Sequence, residues 1–466
     1  MPSFSPELLA RWTEGRWTSV PSEPLLGFAI DSRTLRAGEV FVALKTDRRD
    51  GHAFVAAAQL LGGAAAIVSH PNLSLTLPQL VVKDTLAAFQ AIALEHRRAF
   101  GRPIVGVTGS AGKTSTKNLL ALLLSDREGD VLATEGNLNN HLGVPLTLCR
   151  IDPDRHRFAV IEAGISAPNE MAVLARMIEP DAAIVTLIGP AHLENLGTLA
   201  GVADEKSALA KACRPSGIAV FPKQCAEYAA FRELPGKSLI LEPAAVVRPA
   251  EPPSDRVYFT VTHRGDTTAL ALAYGPPPPL SFTFGRVTDG MAQNAALAIC
   301  TALWLGVSKE MIQGRLTQWH PASLRGEWRK ADGRLLYLDC YNANPVSMAD
   351  ALATFRSAAP QAMPRLFLIG CMEELGLASY RYHRELGETL ALRPEDRAVV
   401  VGDYAEAVRE GAAAVGLVGQ VEVAPSTDRM AGLLSDFRGA VFVKGSRRYK
   451  LEDAVSSVVH LEVAHA

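Results

Sequence analysis

The chain has 466 residues, which at roughly 150 residues per domain predicts about three domains. Apolar residues make up 48% and charged residues 21%, a globular balance that excludes a largely disordered chain. With 47 basic and 49 acidic residues the net charge is −2, so bulk electrostatics give no support to nucleic-acid binding.

Along the chain, residues 1–100 read as a small α/β domain. Phe28-Ala29-Ile30 leads into the turn Asp31-Ser32-Arg33, Val40–Leu44 reads as a buried strand, His52–Leu61 as a helix and Ala64–Val68 as another strand. Residues 101–320 form a second block. Pro103–Val107 is a β-run entering a glycine-rich turn, and a helix follows over Thr114–Leu124. Strands are predicted at Phe158–Glu162 and Ala183–Leu187, with a helix at Asn169–Met177 between them, which implies a mostly parallel sheet. Arg256–Thr262 and Thr267–Ala273 suggest a hairpin, and Pro249–Pro253 and Pro276–Pro279 read as loops. Residues 321–466 alternate most regularly. Strand-like Leu335–Asp339, Arg365–Ile369, Ala398–Val401, Gln420–Val423 and Ala440–Val443 are interleaved with helix-like Ser347–Ala358, Tyr380–Ala391, Tyr404–Ala414 and Ser426–Phe437. The pattern predicts a doubly wound, Rossmann-like C-terminal domain without a GxGxxG turn. The fold class is therefore α/β in three domains.

The six cysteines are scattered, with no CxxC pair, which fits reduced thiols in a cytosolic protein. No apolar run is long enough to span a bilayer, and Met1–Trp17 shows no basic-then-apolar leader, so a cytoplasmic location is expected.

The strongest local signal is Gly106-Val-Thr-Gly109-Ser110-Ala111-Gly112-Lys113-Thr114-Ser115, between an apolar strand and an apolar helix. Glycines let backbone N–H groups turn toward phosphate oxygens, and the helix N-terminus adds partial positive charge. Lys113 can reach the outer phosphates of a nucleotide and the Thr114 hydroxyl can hold Mg²⁺. Val107 occupies the position of the first glycine of the strict motif, so the shorter Gly-x-x-Gly-Lys-Thr form is present. Such a loop does not choose among GTPases, kinases, helicases and ligases.

Other segments narrow the choice. They are Asp31-Ser32-Arg33, Gly38–Leu44 and Asp50-Gly51-His52; then Thr134–Asn140 with Gly143-Val-Pro145, Glu162-Ala-Gly164 and Ala191-His192-Leu-Glu194; and finally Tyr341–Pro345, Met372–Gly376 with His383, and Lys444–Arg447. With the phosphate loop, they make nearly the whole chain similar to the Mur ligases, ATP-dependent amide-forming enzymes of peptidoglycan precursor synthesis. The Tyr-Asn-Ala-Asn-Pro run and the paired asparagines resemble those members that join D-alanyl-D-alanine to UDP-N-acetylmuramoyl-tripeptide. A ligase adding a single amino acid, and a nucleotide-binding regulator that has lost ligation, are the alternatives.

The resemblance implies roles residue by residue. ATP and two Mg²⁺ ions are the implied cofactors. Lys113 would contact the γ-phosphate, while Thr114, Glu162, His192 and Lys206 would surround the metal ions. Glu162 closes a strand, where a carboxylate can hold Mg²⁺. By residue type alone it could equally pair with a lysine or arginine. His192 and Lys206 would otherwise read as a solvated loop histidine and a surface lysine. In the family the matching lysine is carbamylated by CO₂. Asn294, Arg325 and Asp339 are implied in nucleotide contacts, with Asn294 facing the adenine edge. Asn137, Asn139 and Asn140 would face the nucleotide-sugar peptide, and Asp31, Ser32 and Arg33 the uridine-diphosphate end. Asn342, Asn344 and Lys444 would lie near the incoming dipeptide or the domain interface. A monomer is expected. The chain departs from the family pattern at Gly290-Met291, where a His-Asn pair is usual, at Cys371, where Asp is common, and at Lys45-Thr46, where glycine is common.

Overall fold

The computed structural model describes residues 2–46, 49–246 and 255–459. The loop predicted at Pro249–Pro253 lies outside them. Three sheets account for the strands, and each is mostly parallel.

The first sheet comprises β1 (Arg16–Trp17), β2 (Phe28–Ala29), β3 (Val40–Val42), β4 (Ala65–Val68) and β5 (Gln79–Val81), in the order β1-β5-β4-β3-β2. Two readings change here. The strand at Val40 stops at Val42, because the Ala43 carbonyl accepts the Thr85 hydroxyl (2.9 Å) and the Leu44 carbonyl accepts the Gly51 N–H (2.8 Å). The expected helix from His52 begins as a tight 3-10 turn, Gly51–Phe54, and becomes α-helical only over Val55–Leu60. Asp50 enforces that turn by accepting the His52 N–H (3.0 Å), while the His52 ring is held between Asp50 and the Ser69 N–H.

The helix Thr85–Phe100, to which the sequence reading gives no element, connects this block to the next. Asp84 caps it by accepting the N–H groups of Leu86 and Ala87, and Gly101 ends it in the left-handed region. Phe89, Ile92 and Ala93 are fully buried in a core that runs from Phe4 and Leu9 to Ile161 and Val185 of the central sheet. Arg97, also buried, donates to the Ile178 carbonyl (2.8 Å) and to Asp181 (2.7 Å), so the two blocks are tied by packing and by charge.

The central sheet comprises β6 (Ile104–Thr108), β7 (Val131–Ala133), β8 (Phe158–Glu162), β9 (Ala182–Val185), β10 (Ile218–Pro222), β11 (Lys237–Pro243), β12 (Arg256–Arg264), β13 (Thr267–Leu272) and β14 (Leu280–Gly285). Its order is β14-β13-β12-β11-β10-β9-β6-β8-β7. The first seven strands in sequence run parallel, and the hairpin β12–β13 with β14 adds an antiparallel edge. The hairpin turn is tighter than predicted: Arg264 pairs with Thr267, leaving only Gly265-Asp266 between the strands. Every residue of β6 is buried, as a strand covered by helices on both faces requires. Since β6 lies between β8 and β9, its carboxyl end opens beside Glu162 and beside the loop that follows β9.

The third sheet comprises β15 (Glu327–Ala331), β16 (Arg334–Asp339), β17 (Arg365–Gly370), β18 (Arg397–Val401), β19 (Val421–Ala424) and β20 (Ala440–Lys444), in the order β15-β16-β20-β17-β18-β19. Alternate residues feed two cores. Phe367, Ile369, Val400 and Phe442 face one helical layer, and Leu366, Leu368, Val399, Val441 and Val443 face the other. That two-sided burial is the doubly wound arrangement the alternation predicts. The one antiparallel strand, β15, is outside the strands the sequence predicts, because its polar composition hides the strand signal.

Candidate active site

The phosphate loop turns between β6 and the helix Lys113–Leu124. Gly109 (φ +145°) and Gly112 (φ +77°) take backbone conformations open to glycine, and a Cβ at Gly109 would collide with the Thr186 hydroxyl. The Ser110 N–H donates to the Leu187 carbonyl (3.0 Å), and its hydroxyl bonds to the Gly189 peptide, so Ser110 anchors the loop. Lys113 curls back to donate to the Gly109 carbonyl (2.9 Å). Burial pushes its ammonium below the usual lysine range, and Glu162 pulls it back. Ala111, Thr114 and Ser115 complete the half-buried rim. Asn294, on the helix Asp289–Trp304, is buried with its amide against Gly112, and its Oδ1 has no partner. A helix-surface asparagine is thereby excluded.

Glu162 stands at the end of β8, nearly inaccessible. Its Oε1 accepts the Asn139 Nδ2–H (2.8 Å), and its Oε2, also buried, accepts nothing. Lys206, on the helix Leu199–Lys211, is fully buried with Nζ unpartnered. Burial, and after it the nearby Lys113, hold its amine far below the ordinary lysine range. His192 sits at φ +53°, its Nδ1 against the Glu374 carboxylate, which this contact holds below the usual range. An unpaired buried carboxylate oxygen and an unpaired buried amine fit a cation and a carbamate better than they fit a closed core.

The third block meets this corner at three points. Asn344 caps the helix Pro345–Ala358 by accepting the Ser347 N–H (2.9 Å), and donates from Nδ2 to the Ser110 carbonyl (3.0 Å) of the phosphate loop. Glu374 (φ +62°) reaches His192. Gly290 donates its N–H to Asp350 (3.2 Å), and a Cβ there would come within 2.6 Å of that carboxylate. The glycine that departs from the family pattern therefore permits a close approach. Arg325 stacks on the Tyr341 ring at 3.9 Å, with Arg447 at 5.9 Å from the same ring. Asp339 and Lys444, end residues of adjacent strands in register, pair at 2.6 Å, Lys444 buried and Asp339 half-buried; desolvation raises the Asp339 carboxyl and Lys444 opposes that rise. Lys444 also donates to the Asn342 carbonyl (3.2 Å).

The remaining predicted residues are more peripheral. Asn137 is exposed, and Asn140 accepts the N–H groups of Leu142 (3.1 Å) and Gly143 (2.9 Å) as a turn former. Asp31 and Arg33 pair at 2.6 Å on the surface of the first block, beside the nearly buried Ser32, and Arg33 lowers the Asp31 carboxyl to about 2. The sequence reading gives no role to Glu374, to Tyr341, or to Lys117, which donates to the Thr134 carbonyl, and Thr134, whose hydroxyl accepts the Glu162 N–H. Lys117 carries a usable signal: it lies four residues after Lys113 in an apolar helix, on the same face.

Two family models match the chain. One described as "Mur ligase middle domain" covers residues 107–240, and one described as "Mur ligase, glutamate ligase domain" covers residues 324–447. The UDP-N-acetylmuramoyl-tripeptide–D-alanyl-D-alanine ligase of Escherichia coli K12 is 33% identical over 432 residues, 92% of each chain. A crystal structure of MurF from Acinetobacter baumannii superposes with a TM-score of 0.86 at 29% identity, covering 98% of this chain and 99% of that one. MurF ligase from Thermotoga maritima in complex with ADP gives 0.77 at 25% identity, covering 92% and 96%.

Proposed function

The chain belongs to the Mur ligase family, and we propose that it joins D-alanyl-D-alanine to UDP-N-acetylmuramoyl-tripeptide with cleavage of ATP to ADP and phosphate. The likeness extends over 92% of the Escherichia coli ligase and includes all three sheets. The observation that carries the reading is the corner where the phosphate loop, Glu162, Lys206 and the His192–Glu374 pair converge, with the third block docked on it through Asn344.

A carboxylate is a poor acyl donor because its oxygen leaves badly. Transfer of the γ-phosphoryl group of ATP to the tripeptide carboxylate makes an acyl phosphate. The dipeptide amine then attacks the acyl carbon, the C–O bond to phosphate breaks, and the amine loses a proton. Catalysis here is positioning and charge stabilisation. Lys113 and the loop N–H groups from Gly109 to Ser115 hold the outer phosphates, and Arg325, stacked on Tyr341, adds a cation from the third block. Thr114, Glu162, His192 and a carbamylated Lys206 would hold Mg²⁺. The metal, when bound, supplies Lewis-acid neutralisation of phosphate charge. The buried, deprotonation-prone amine of Lys206 is what reaction with CO₂ needs. Imidazole is an uncommon Mg²⁺ ligand, and the His192–Glu374 pair brings a carboxylate of the third block to the same place. Asn294 and Asp339 serve the nucleoside end; Asn139, with Asn137 and Asn140, the tripeptide end; Asp31, Ser32 and Arg33 the uridine diphosphate; and Asn342, Asn344 and Lys444 the dipeptide side. No helix among the described residues is long and apolar enough to cross a membrane. We take the enzyme to act as a monomer in the cytoplasm.

Phosphate release measured with UDP-N-acetylmuramoyl-tripeptide and ATP tests this. D-alanyl-D-alanine is expected to drive turnover and single amino acids not. Turnover with a single amino acid on the dipeptide precursor, and none with D-alanyl-D-alanine, would overturn it.

A further inference from the structure

We propose that Lys117 is a positioning residue that braces Glu162 through Thr134, leaving Oε2 open to a metal ion. The inference rests on the reading of Glu162 as a metal-holding group.

Lys113 and Lys117 lie one helical turn apart on one face of the helix Lys113–Leu124. Lys113 turns back over the phosphate loop, whereas Lys117 is buried and donates to the Thr134 carbonyl at the end of β7. Thr134 is in turn bound to Glu162: its hydroxyl accepts the Glu162 N–H at 2.9 Å. The segment after Thr134 returns with Asn139, whose Nδ2 donates to Glu162 Oε1 (2.8 Å) and whose carbonyl accepts the Gly164 N–H (2.9 Å). Thr134 and Asn139 thus hold Glu162 directly, and Lys117 holds Thr134.

Packing alone does not explain a lysine at this place. An apolar side chain would fill the space without the several kcal/mol that desolvating an ammonium costs. Glu162 carries a negative charge with one oxygen unpaired, and a direct salt bridge would occupy that oxygen. Lys117 instead interacts with the carboxylate through space while its hydrogen bond goes to Thr134. The carboxylate is aimed without a direct salt bridge, and its second oxygen stays available.

The test uses the full-length enzyme and Mn²⁺ as the probe. Binding is read by the EPR signal of free Mn²⁺ in the presence of a non-hydrolysable ATP analogue, and stability by thermal melting. Lys117→Met is expected to weaken Mn²⁺ binding about tenfold without lowering the melting temperature, and Lys117→Arg to retain most of it. Lys117→Met and Asn139→Ala combined should be no worse than the weaker single variant, since both act through one carboxylate. Unchanged Mn²⁺ binding in a folded Lys117→Met protein, or fully additive losses, would overturn the proposal. If that variant does not fold, Lys117→Gln decides by the same measurement: weakened binding supports the role of Lys117 and unchanged binding refutes it. Glu162→Gln separates the two layers. Wild-type Mn²⁺ binding in that variant refutes the underlying reading of Glu162, whereas weakened binding there with none in Lys117→Met refutes only the role of Lys117.

Discussion

Buried charge is handled in opposite ways in the central and third blocks. In the third, Asp396 is inaccessible and receives Arg365 (2.8 Å) and Arg393 (2.8 Å), while Asp339 meets Lys444. In the central block, Glu162 Oε2, Lys206 Nζ and Asn294 Oδ1 are equally buried and meet nothing. Both arrangements cost desolvation, but only the first recovers it within the chain. Charge left unmatched beside a phosphate loop marks where another molecule completes the balance.

The contrast breaks first at Asp396. Asp396→Ala leaves Arg365 buried without its partner and should cost about 3–5 kcal/mol in urea unfolding, with kcat unchanged. A loss below 1 kcal/mol would mean that this pair is as dispensable as a surface one. Lys206 sharpens the contrast, because stability and activity should move apart. Lys206→Met removes an unmatched amine and should raise stability by about 1–3 kcal/mol. Its turnover should fall about 10²–10³-fold, the scale of losing one preorganised charge group. In Lys206→Ala, short carboxylic acids should restore part of the turnover; full activity without them would reject the carbamate. The last effect comes from two buried histidines. Burial, opposed by a hydrogen bond to the Ile151 carbonyl for His96 and to the Ser379 carbonyl for His383, sets both below the usual histidine value. The unfolded chain therefore takes up protons first as pH falls. Stability should be full above about pH 7 and decline below about 6.5, by at most about 1.4 kcal/mol per pH unit for each histidine, until the folded values are reached. A flat melting temperature from pH 7 to 5 would contradict this.

The sequence carried the fold where period and local chemistry agreed. The alternating third block and the Gly-Lys-Thr loop were both readable, since two-sided strands and glycine turns leave local marks. Thr85–Phe100 buries one face at helical spacing, Ala88, Phe89, Ile92, Ala93 and Phe100, but His96 and Arg97 on that face blur the apolar stripe, and their partners Ile151 and Asp181 lie in the central block. The strand Glu327–Ala331 was missed because charged residues suit a half-exposed edge. At the site, Lys113 and Glu162 were visible as a motif and a strand end. The Asn344 contact to Ser110 was not, since 234 residues separate the partners and only docking of two blocks joins them. The Asp339–Lys444 pair was hidden likewise: two residues read separately, one for the nucleotide and one for the dipeptide, are neighbours across adjacent strands.

Asn344 has a consequence for how the blocks come together. Its Oδ1 is committed to capping the helix Pro345–Ala358, which fixes the side chain's rotamer and so the direction of its Nδ2. The torsional freedom a loose asparagine would surrender on docking is already gone once the helix has formed. The third block thus approaches the phosphate loop with its gripping group preset. Because it grips the Ser110 peptide, a shift of the loop around a nucleotide is passed directly to the axis of that helix.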